Sequence, residues 1–298
     1  MLRTRSQADL AIQPRRPDVE WRRSDVHAGD GVRLAVFSSG RSEPEAPTLV
    51  LLHGLGHWSQ AAWDPMAMEL RTDFRLIAVD LPGFGESDKP DVRYDLQFFT
   101  ECVTRVIERL RLQRFGLAGH SLGGLIAASY AANESERVAP LVLIDPAGFR
   151  RTARLLLGVA GSAPASWVFR MRPSRRFVHH TLNRSVVDPA VISTAMHERA
   201  FRFAQDAAYL RAFTRVYASA LHDLRDLHGL HKRLGSYRGP VLLFWGRRDR
   251  YVPIRALESA QRVYPHAEVT VLERSAHMPN VEEPYPIVER IRAAFGAA

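Results

Sequence analysis

The stretch Gly119-His120-Ser121-Leu122-Gly123 decides the fold prediction, because it places a serine between two glycines at the junction of two elements. An apolar run over residues 115–118 precedes the serine and predicts a strand, and a helical pattern over 122–132 follows it. A serine on so sharp a turn holds a strained backbone, with its hydroxyl clear of the sheet. Side chains at 119 and 123 would collide with that turn, so glycine has a steric reason there. The pattern therefore predicts that Ser121 is a nucleophile rather than an idle turn serine.

The rest of the chain alternates between strand and helix patterns. Continuous apolar runs predict strands buried on both faces, at residues 48–52, 74–79, 115–118, 138–144, 241–245 and 267–272. A further strand is predicted at 32–38, with a partner within 19–26. Helical patterns lie between the strands, at 61–70, 96–112, 122–132, 254–263 and 286–295. This alternation predicts an α/β fold with a mostly parallel central sheet, helices on both faces, and an active site at the carboxyl ends of the strands.

The alternation stops near Pro146 and resumes near Pro240. Residues 146–239 show helical patches at 187–196 and 199–221 and are rich in aromatic residues, which predicts a helical cap inserted into one α/β core. We expect the core to comprise residues 20–145 and 240–298, and residues 1–19 to form a flexible N-terminal arm.

Composition bounds the class of protein. The chain has 298 residues, 46% of them hydrophobic, and a single cysteine, Cys102, which cannot form an internal disulfide. No secretory signal pattern and no apolar stretch approaching a membrane span of about 20 residues is visible. We therefore expect a cytoplasmic protein.

The net charge of +9 is concentrated in one region. Residues 150–238 hold sixteen Lys and Arg against five Asp and Glu, and only Lys89 and Lys232 in the whole chain are lysines. Two interpretations remain open: a bias in composition towards arginine, or attraction of the cap to an acidic substrate or an anionic membrane. No nucleic-acid-binding motif accompanies the charge.

The cap histidines lack a fitting set of carboxylates or thiols, so we expect no metal and no cofactor. The oligomeric state cannot be read from the sequence.

A serine nucleophile requires a base and a carboxylate that orients the base. His277 follows the last predicted strand, which places it on the same rim of the sheet as Ser121. Asp249, after the strand at 241–245, is the favoured acid, and Asp145, after the preceding strand, is the alternative.

A tetrahedral intermediate also requires N–H donors for its oxyanion. The backbone amide of Leu122 is one predicted donor, and the loop His53-Gly54-Leu55-Gly56 supplies the other, from Leu55 or alternatively Gly56. We expect His53 to be structural, and Trp58 either to pack in the core or to line the substrate pocket.

With these motifs in place, the chain resembles the α/β-hydrolase fold family from about residue 30 to the C-terminus, apart from the cap. The resemblance rests on five segments in family order: 52–56, 80–87, 119–124, 245–253 and His277. It implies the order serine, acid, histidine, which Ser121, Asp249 and His277 satisfy. A serine at the turn argues against the dehalogenases and epoxide hydrolases of the family, which carry aspartate there.

The function expected is that of a serine hydrolase acting on a small hydrophobic ester or related acyl substrate, in the manner of a carboxylesterase or lipase. The resemblance leaves two alternatives: a carbon–carbon bond hydrolase acting on ring-fission diketo acids, for which an arginine-rich cap would suit the substrate carboxylate, and a ligand-binding protein without activity.

Overall fold

The fold is built on an eight-stranded sheet in which the strands lie in the order β1-β2-β4-β3-β5-β6-β7-β8. The computed structural model describes residues 19–43, 45–150 and 172–296. The strands are β1 (Arg22–His27), β2 (Arg33–Gly40), β3 (Thr48–Leu52), β4 (Arg75–Val79), β5 (Phe115–His120), β6 (Val138–Ile144), β7 (Val241–Gly246) and β8 (Glu268–Leu272). The pairs β1–β2 and β2–β4 are antiparallel and the others are parallel. The predicted α/β class and mostly parallel sheet are confirmed.

Helices cover both faces of this sheet. The α-helices of the described residues are α1 (Ser59–Leu70), α2 (Leu96–Arg109), α3 (Leu122–Asn133), α4 (Arg175–Asn183), α5 (Thr194–Ala204), α6 (Ala207–Asp223), α7 (Leu227–Leu234), α8 (Leu257–Val263), α9 (Pro279–Glu282) and α10 (Pro284–Gly296). The alternation of side chains along β3 shows why the apolar runs are continuous. Val50 and Leu52 pack into the hydrophobic cluster on one face of the sheet, whereas Leu49 and Leu51 pack into the cluster on the other.

Among the described residues between β6 and β7 lie four helices, α4 to α7, and we call them the cap helices. The predicted helix at 187–196 is wrong in its bounds, because only a 3-10 turn, Pro189–Val191, occurs before α5 begins at Thr194. The side chain of Ser193 accepts a hydrogen bond from the N–H of Met196 and so caps α5. The single helix predicted at 199–221 is also wrong, because Asp206 caps a new helix, α6.

Parts of two predicted segments lie outside the described residues: 1–18 of the N-terminal arm and 151–171 of the cap. In the part of the chain that is described, no helix is both long enough and apolar enough to span a membrane.

Candidate active site

Ser121 lies on the turn between β5 and α3, in a backbone conformation that side chains rarely adopt, with φ +52° and ψ −114°. Such a conformation costs about 1–3 kcal/mol and persists only where the surroundings enforce it. A Cβ on Gly119 would lie 2.2 Å from the carbonyl oxygen of Gly123, and a Cβ on Gly123 would lie 2.2 Å from that of Leu52. The two glycines of the motif therefore allow β5, the turn and β3 to approach as closely as they do.

Ser121, His277 and Asp249 form one hydrogen-bonded chain. The Oγ of Ser121 lies 3.0 Å from Nε2 of His277, and Nδ1 of His277 lies 2.7 Å from Oδ2 of Asp249. With the proton on Nδ1, the imidazole donates to Asp249 and accepts from the Ser121 hydroxyl. All three residues are buried. The structure thus brings together the three residues that the sequence placed on separate strand ends.

The loop after β7 fixes the carboxylate of Asp249. Its Oδ1 accepts hydrogen bonds from the backbone N–H groups of Tyr251, at 2.7 Å, and Val252, at 2.9 Å. Oδ2 is left for His277. Each carboxylate oxygen therefore has its own partner, and the imidazole is held in one orientation.

Asp145, the alternative acid, lies close by but makes no hydrogen bond with His277. Its Oδ1 accepts from the N–H of Gly246 at 2.9 Å, and its Oδ2 is buried without a hydrogen-bond partner among the described residues. A carboxylate oxygen of Asp145, one of Asp249 and a ring nitrogen of His277 all lie within 4.8 Å of one another. Burial, reinforced by the charge of Asp249, raises the pKa of Asp145 well above its usual range. Its surroundings therefore favour the neutral form of Asp145 more than water does.

The loop after β3 contacts the serine turn directly. A Cβ on Gly54 would lie 2.8 Å from Nδ1 of His120 and 3.2 Å from Cβ of Ser121, and Gly56 has a φ of +77°. Leu55 lies between these glycines and lines the same cavity as Ser121. Leu122 is the first residue of α3, where a backbone N–H has no partner within the helix. Both predicted donor amides thus belong to backbone segments next to Ser121.

His53 holds this loop in place. Its Nδ1 lies 2.8 Å from the carbonyl oxygen of Gly54, and its Nε2 accepts from the N–H of Leu81 at 2.9 Å. The side chain is fully buried, and both ring nitrogens have partners. This arrangement agrees with the structural role expected of His53.

A cavity of about 190 Å³ opens beside Ser121 and His277. Most of its lining is apolar, and no Arg, Lys, Asp or Glu is among the described residues that line it. The cap helices supply much of this wall: Phe177, Val178, Leu182, Ala200, Ala204, Tyr209, Leu210, Phe213 and Tyr217. The Tyr209 hydroxyl donates to the carbonyl of Gly56 at 3.1 Å, which ties α6 to the loop after β3.

Trp58 does not line this cavity. The residue is 2% exposed, and its ring packs edge-on against Phe203 at 5.3 Å and lies 5.5 Å from the Arg199 guanidinium. The pocket-lining alternative for Trp58 is therefore corrected, because cap side chains cover the ring. Two lining residues that the sequence did not single out are His57 and Tyr251. Their only sequence signal is adjacency to the predicted loop and acid.

The fold and this site define a hydrolase architecture, and comparison with known proteins agrees. The model of the α/β hydrolase fold family matches residues 47–284. The chain therefore belongs to the α/β hydrolase fold family, as the sequence motifs predicted.

Individual relatives carry different activities. A pimeloyl-[acyl-carrier protein] methyl ester esterase of Aeromonas salmonicida is 30% identical over 261 residues, which are 85% of this chain and 96% of the esterase. The dihydrolipoyllysine-residue acetyltransferase component of the acetoin cleaving system of Pseudomonas putida is 32% identical over 234 residues. That match covers 78% of this chain but only 59% of the longer relative. Among solved structures, a bacterial membrane phospholipase A is similar with a TM-score of 0.75 and 26% identity, over 94% of this chain and 86% of that one. Family and neighbours together support hydrolase activity.

Proposed function

We propose that the protein is a serine hydrolase that cleaves carboxylic esters with a hydrophobic acyl or aromatic group through an acyl-enzyme. The observation that carries the proposal is the hydrogen-bonded chain from Ser121 through His277 to Asp249 at the wall of an apolar cavity. The methyl ester esterase that resembles this chain over nearly its whole length adds support.

The proposed reaction has two halves. In the first, His277 Nε2 takes the Ser121 proton while Oγ attacks the ester carbonyl, and the amides of Leu55 and Leu122 stabilise the oxyanion. Collapse of the intermediate breaks the bond to the alcohol oxygen, which leaves with the proton from His277. In the second half, His277 takes a proton from water, the resulting hydroxide attacks the acyl-enzyme, and the carboxylic acid departs as Ser121 regains its proton.

The lining of the cavity favours an ester over a ring-fission diketo acid. A substrate carboxylate buried in an apolar cavity needs a cation or several donors to offset its desolvation. No arginine or lysine is among the described residues of the wall, although the cap is rich in arginine. The carbon–carbon hydrolase alternative therefore has less support than the esterase.

Labelling with a fluorophosphonate probe tests the proposal against the alternative of a binding protein. We expect stoichiometric labelling of Ser121, identified by peptide mass spectrometry, and turnover of p-nitrophenyl esters with an optimum in acyl-chain length set by the cavity. Absence of labelling on the folded protein would overturn the enzymatic assignment. Faster turnover of a vinylogous diketo acid than of any ester in the series would favour the carbon–carbon hydrolase.

We propose in addition that the cap contacts anionic membranes through α4. This helix carries the exposed residues Arg175 and Arg176 and is flanked by exposed Arg172 and Arg184. Phe177 on the same helix is 44% exposed and also lines the cavity. An apolar side chain among arginines is the composition that binds an anionic interface. The similar solved structure is that of a membrane phospholipase, which adds support.

Neutralising the arginines of α4 is expected to weaken binding to vesicles that contain phosphatidylglycerol. Replacing Arg172, Arg176 and Arg184 by glutamine should lower the partition coefficient about 100-fold at low salt, because each cation near the surface contributes about 1 kcal/mol. Cosedimentation at low and high ionic strength measures the effect. The control removes three exposed arginines of the core: Arg109, Arg114 and Arg262. If both triple variants lost vesicle binding equally, or if the wild type did not bind, the membrane proposal would be wrong. The arginines of the cap would then reflect a bias in composition.

A further inference from the structure

His57 is a buried histidine in the cavity wall that takes no part in the proposed relay. It follows the loop that carries Leu55 and lines the cavity together with Ser121 and His277. Its side chain lies near the imidazole of His120, at 5.9 Å between ring centroids. The backbone is held in place, since its N–H donates to the carbonyl of Gly54 at 3.2 Å. The backbone of His57 is therefore held in the same cavity wall as Ser121 and His277.

One ring nitrogen of His57 has no hydrogen-bond partner in the described part of the protein. This nitrogen is Nδ1, and it is buried. At His53 both ring nitrogens have partners. At His120, Nε2 lies 2.6 Å from the carbonyl oxygen of His277; its Nδ1 is also buried without a partner but lies against Gly54, where a Cβ would be 2.8 Å away. Leaving a buried polar group unpaired costs about 1–3 kcal/mol, so such a group requires an explanation, such as a ligand, a reaction or a bound water. Because His57 lies in a cavity wall, we infer that a polar group of the substrate supplies the missing hydrogen bond.

The protonation state of His57 restricts which substrate groups it can bind. Burial lowers the pKa of His57 to about 3, and the neighbouring His53 and His277 act in the same direction. The ring is therefore neutral at physiological pH, with one donor nitrogen and one acceptor nitrogen. A hydroxyl group, which both donates and accepts, matches a neutral imidazole, whereas a charged group gains no ion pair from it.

Several other polar groups of the lining are already used within the protein. Their hydroxyls donate to backbone carbonyl oxygens: Thr181 to Phe177, Ser185 to Leu182, Tyr209 to Gly56 and Tyr251 to Thr181. These groups shape the wall without offering their protons to a ligand. Nδ1 of His57 is not used in this way, and His57 lines the cavity together with Ser121.

We propose that His57 determines specificity by hydrogen-bonding a hydroxyl group of the substrate close to the scissile ester. The preferred substrates are then esters with a hydroxyl near the carbonyl carbon or the alcohol oxygen and an otherwise apolar body. This inference rests on the proposed ester hydrolysis and names its substrate class. The hydroxyl can come from the acyl part or from the alcohol part, and the two sources are separated by the test.

Three esters of similar size distinguish the outcomes: ethyl butyrate, ethyl 2-hydroxybutyrate and 2-hydroxyethyl butyrate. For the wild type we expect kcat/KM to be at least tenfold higher for one of the hydroxylated esters than for ethyl butyrate. A site built to pair with a hydroxyl rejects the analogue that lacks it, since the buried partner is then left unpaired. The ester that is preferred identifies which part of the substrate carries the hydroxyl.

The variant His57→Leu should abolish this preference, with the ratio of kcat/KM between the hydroxylated and plain esters falling to about one. His57→Asn, which keeps a donor and an acceptor, should retain part of the ratio, and His27→Leu, at an exposed position of β1, is the matched control. Thermal melting should show His57→Leu as stable as the wild type or more so, because an unpaired polar group is removed.

Equal turnover of the three esters by the wild type would overturn the role of His57 while leaving the esterase proposal intact. An unchanged ratio in His57→Leu would overturn it as well. Failure of the wild type to hydrolyse any ester would overturn both proposals together.

Discussion

Replacing Ser121 by alanine is expected to lower kcat for a p-nitrophenyl ester by about 10⁵-fold or more, with the fold intact. Loss of the nucleophile from a serine relay typically costs about six orders of magnitude. Within residues 19–43, 45–150 and 172–296, the hydroxyl makes one side-chain hydrogen bond, to Nε2 of His277, so its removal takes little packing from the core. Alanine meets the same strain at φ +52° as serine does. We therefore expect a melting temperature within a few degrees of the wild type.

The matched control for this variant is Ser129→Ala, which removes a hydroxyl two turns further along α3. Ser129 contacts the hydroxyl of Thr100 at 3.3 Å, away from His277. Steady-state turnover and circular dichroism should show Ser129→Ala as active and folded. More than a tenth of wild-type esterase activity in folded Ser121→Ala would rule out Ser121 as the nucleophile.

The serine turn shows how much a short pattern can predict. The glycines at 119 and 123 are demanded by contacts with backbone atoms, and the strand before the turn is an apolar run of the length of a buried strand. Steric exclusion and strand burial act over a few residues, so both are visible in sequence. Family resemblance then supplied the order of serine, acid and histidine, which local patterns do not contain.

The cap shows where local patterns fail. The apolar spacing over residues 187–196 resembles a helix, but Val186 and Ile192 pack with Met278 and Val281 from the far end of the chain. Pro189 and the capping side chains of Asp188 and Ser193 then divide the segment. Contacts so distant in sequence override helical periodicity.

Long-range contacts also decide which residues face the cavity. Trp58 is one residue from His57, yet Phe203 and Arg199 of α5 cover its ring while the imidazole of His57 lines the wall. Nothing in the order of the two residues distinguishes them. The lack of a partner for Nδ1 of His57 among the described residues likewise depends on how the chain folds around it.

The choice between the two acids yields the second large expected effect. In the variant Asp249→Asn, the amide oxygen is expected to keep the hydrogen bonds from the N–H groups of Tyr251 and Val252, which Oδ1 now accepts. The amide NH₂ then faces Nδ1 of His277 and forces the proton onto Nε2. That tautomer cannot accept the proton of Ser121, and kcat should fall about 10⁴-fold.

Asp145→Asn is the matched control, since it makes the same chemical change one strand away. An amide mimics the neutral form that burial favours at Asp145, and its oxygen can still accept from the N–H of Gly246. Turnover at neutral pH should stay within about threefold of the wild type. A loss of 10⁴-fold in Asp145→Asn with activity retained in Asp249→Asn would reverse the assignment of the acid.

Stability against pH gives an independent check on the charge of Asp145. Its pKa is raised by burial and by Asp249 in the folded state, so the wild type must take up a proton on folding once pH exceeds the ordinary aspartate range. Its free energy of unfolding should therefore fall as pH rises from that range towards the raised pKa, by up to about 1.4 kcal/mol per pH unit. Asp145→Asn has no such proton to take up. Relative to the wild type, its free energy of unfolding should therefore rise over the same pH range, as measured by denaturant titration. If the difference in free energy of unfolding between the wild type and Asp145→Asn did not change with pH, Asp145 would be ionised beside Asp249. Two carboxylates would then compete for His277.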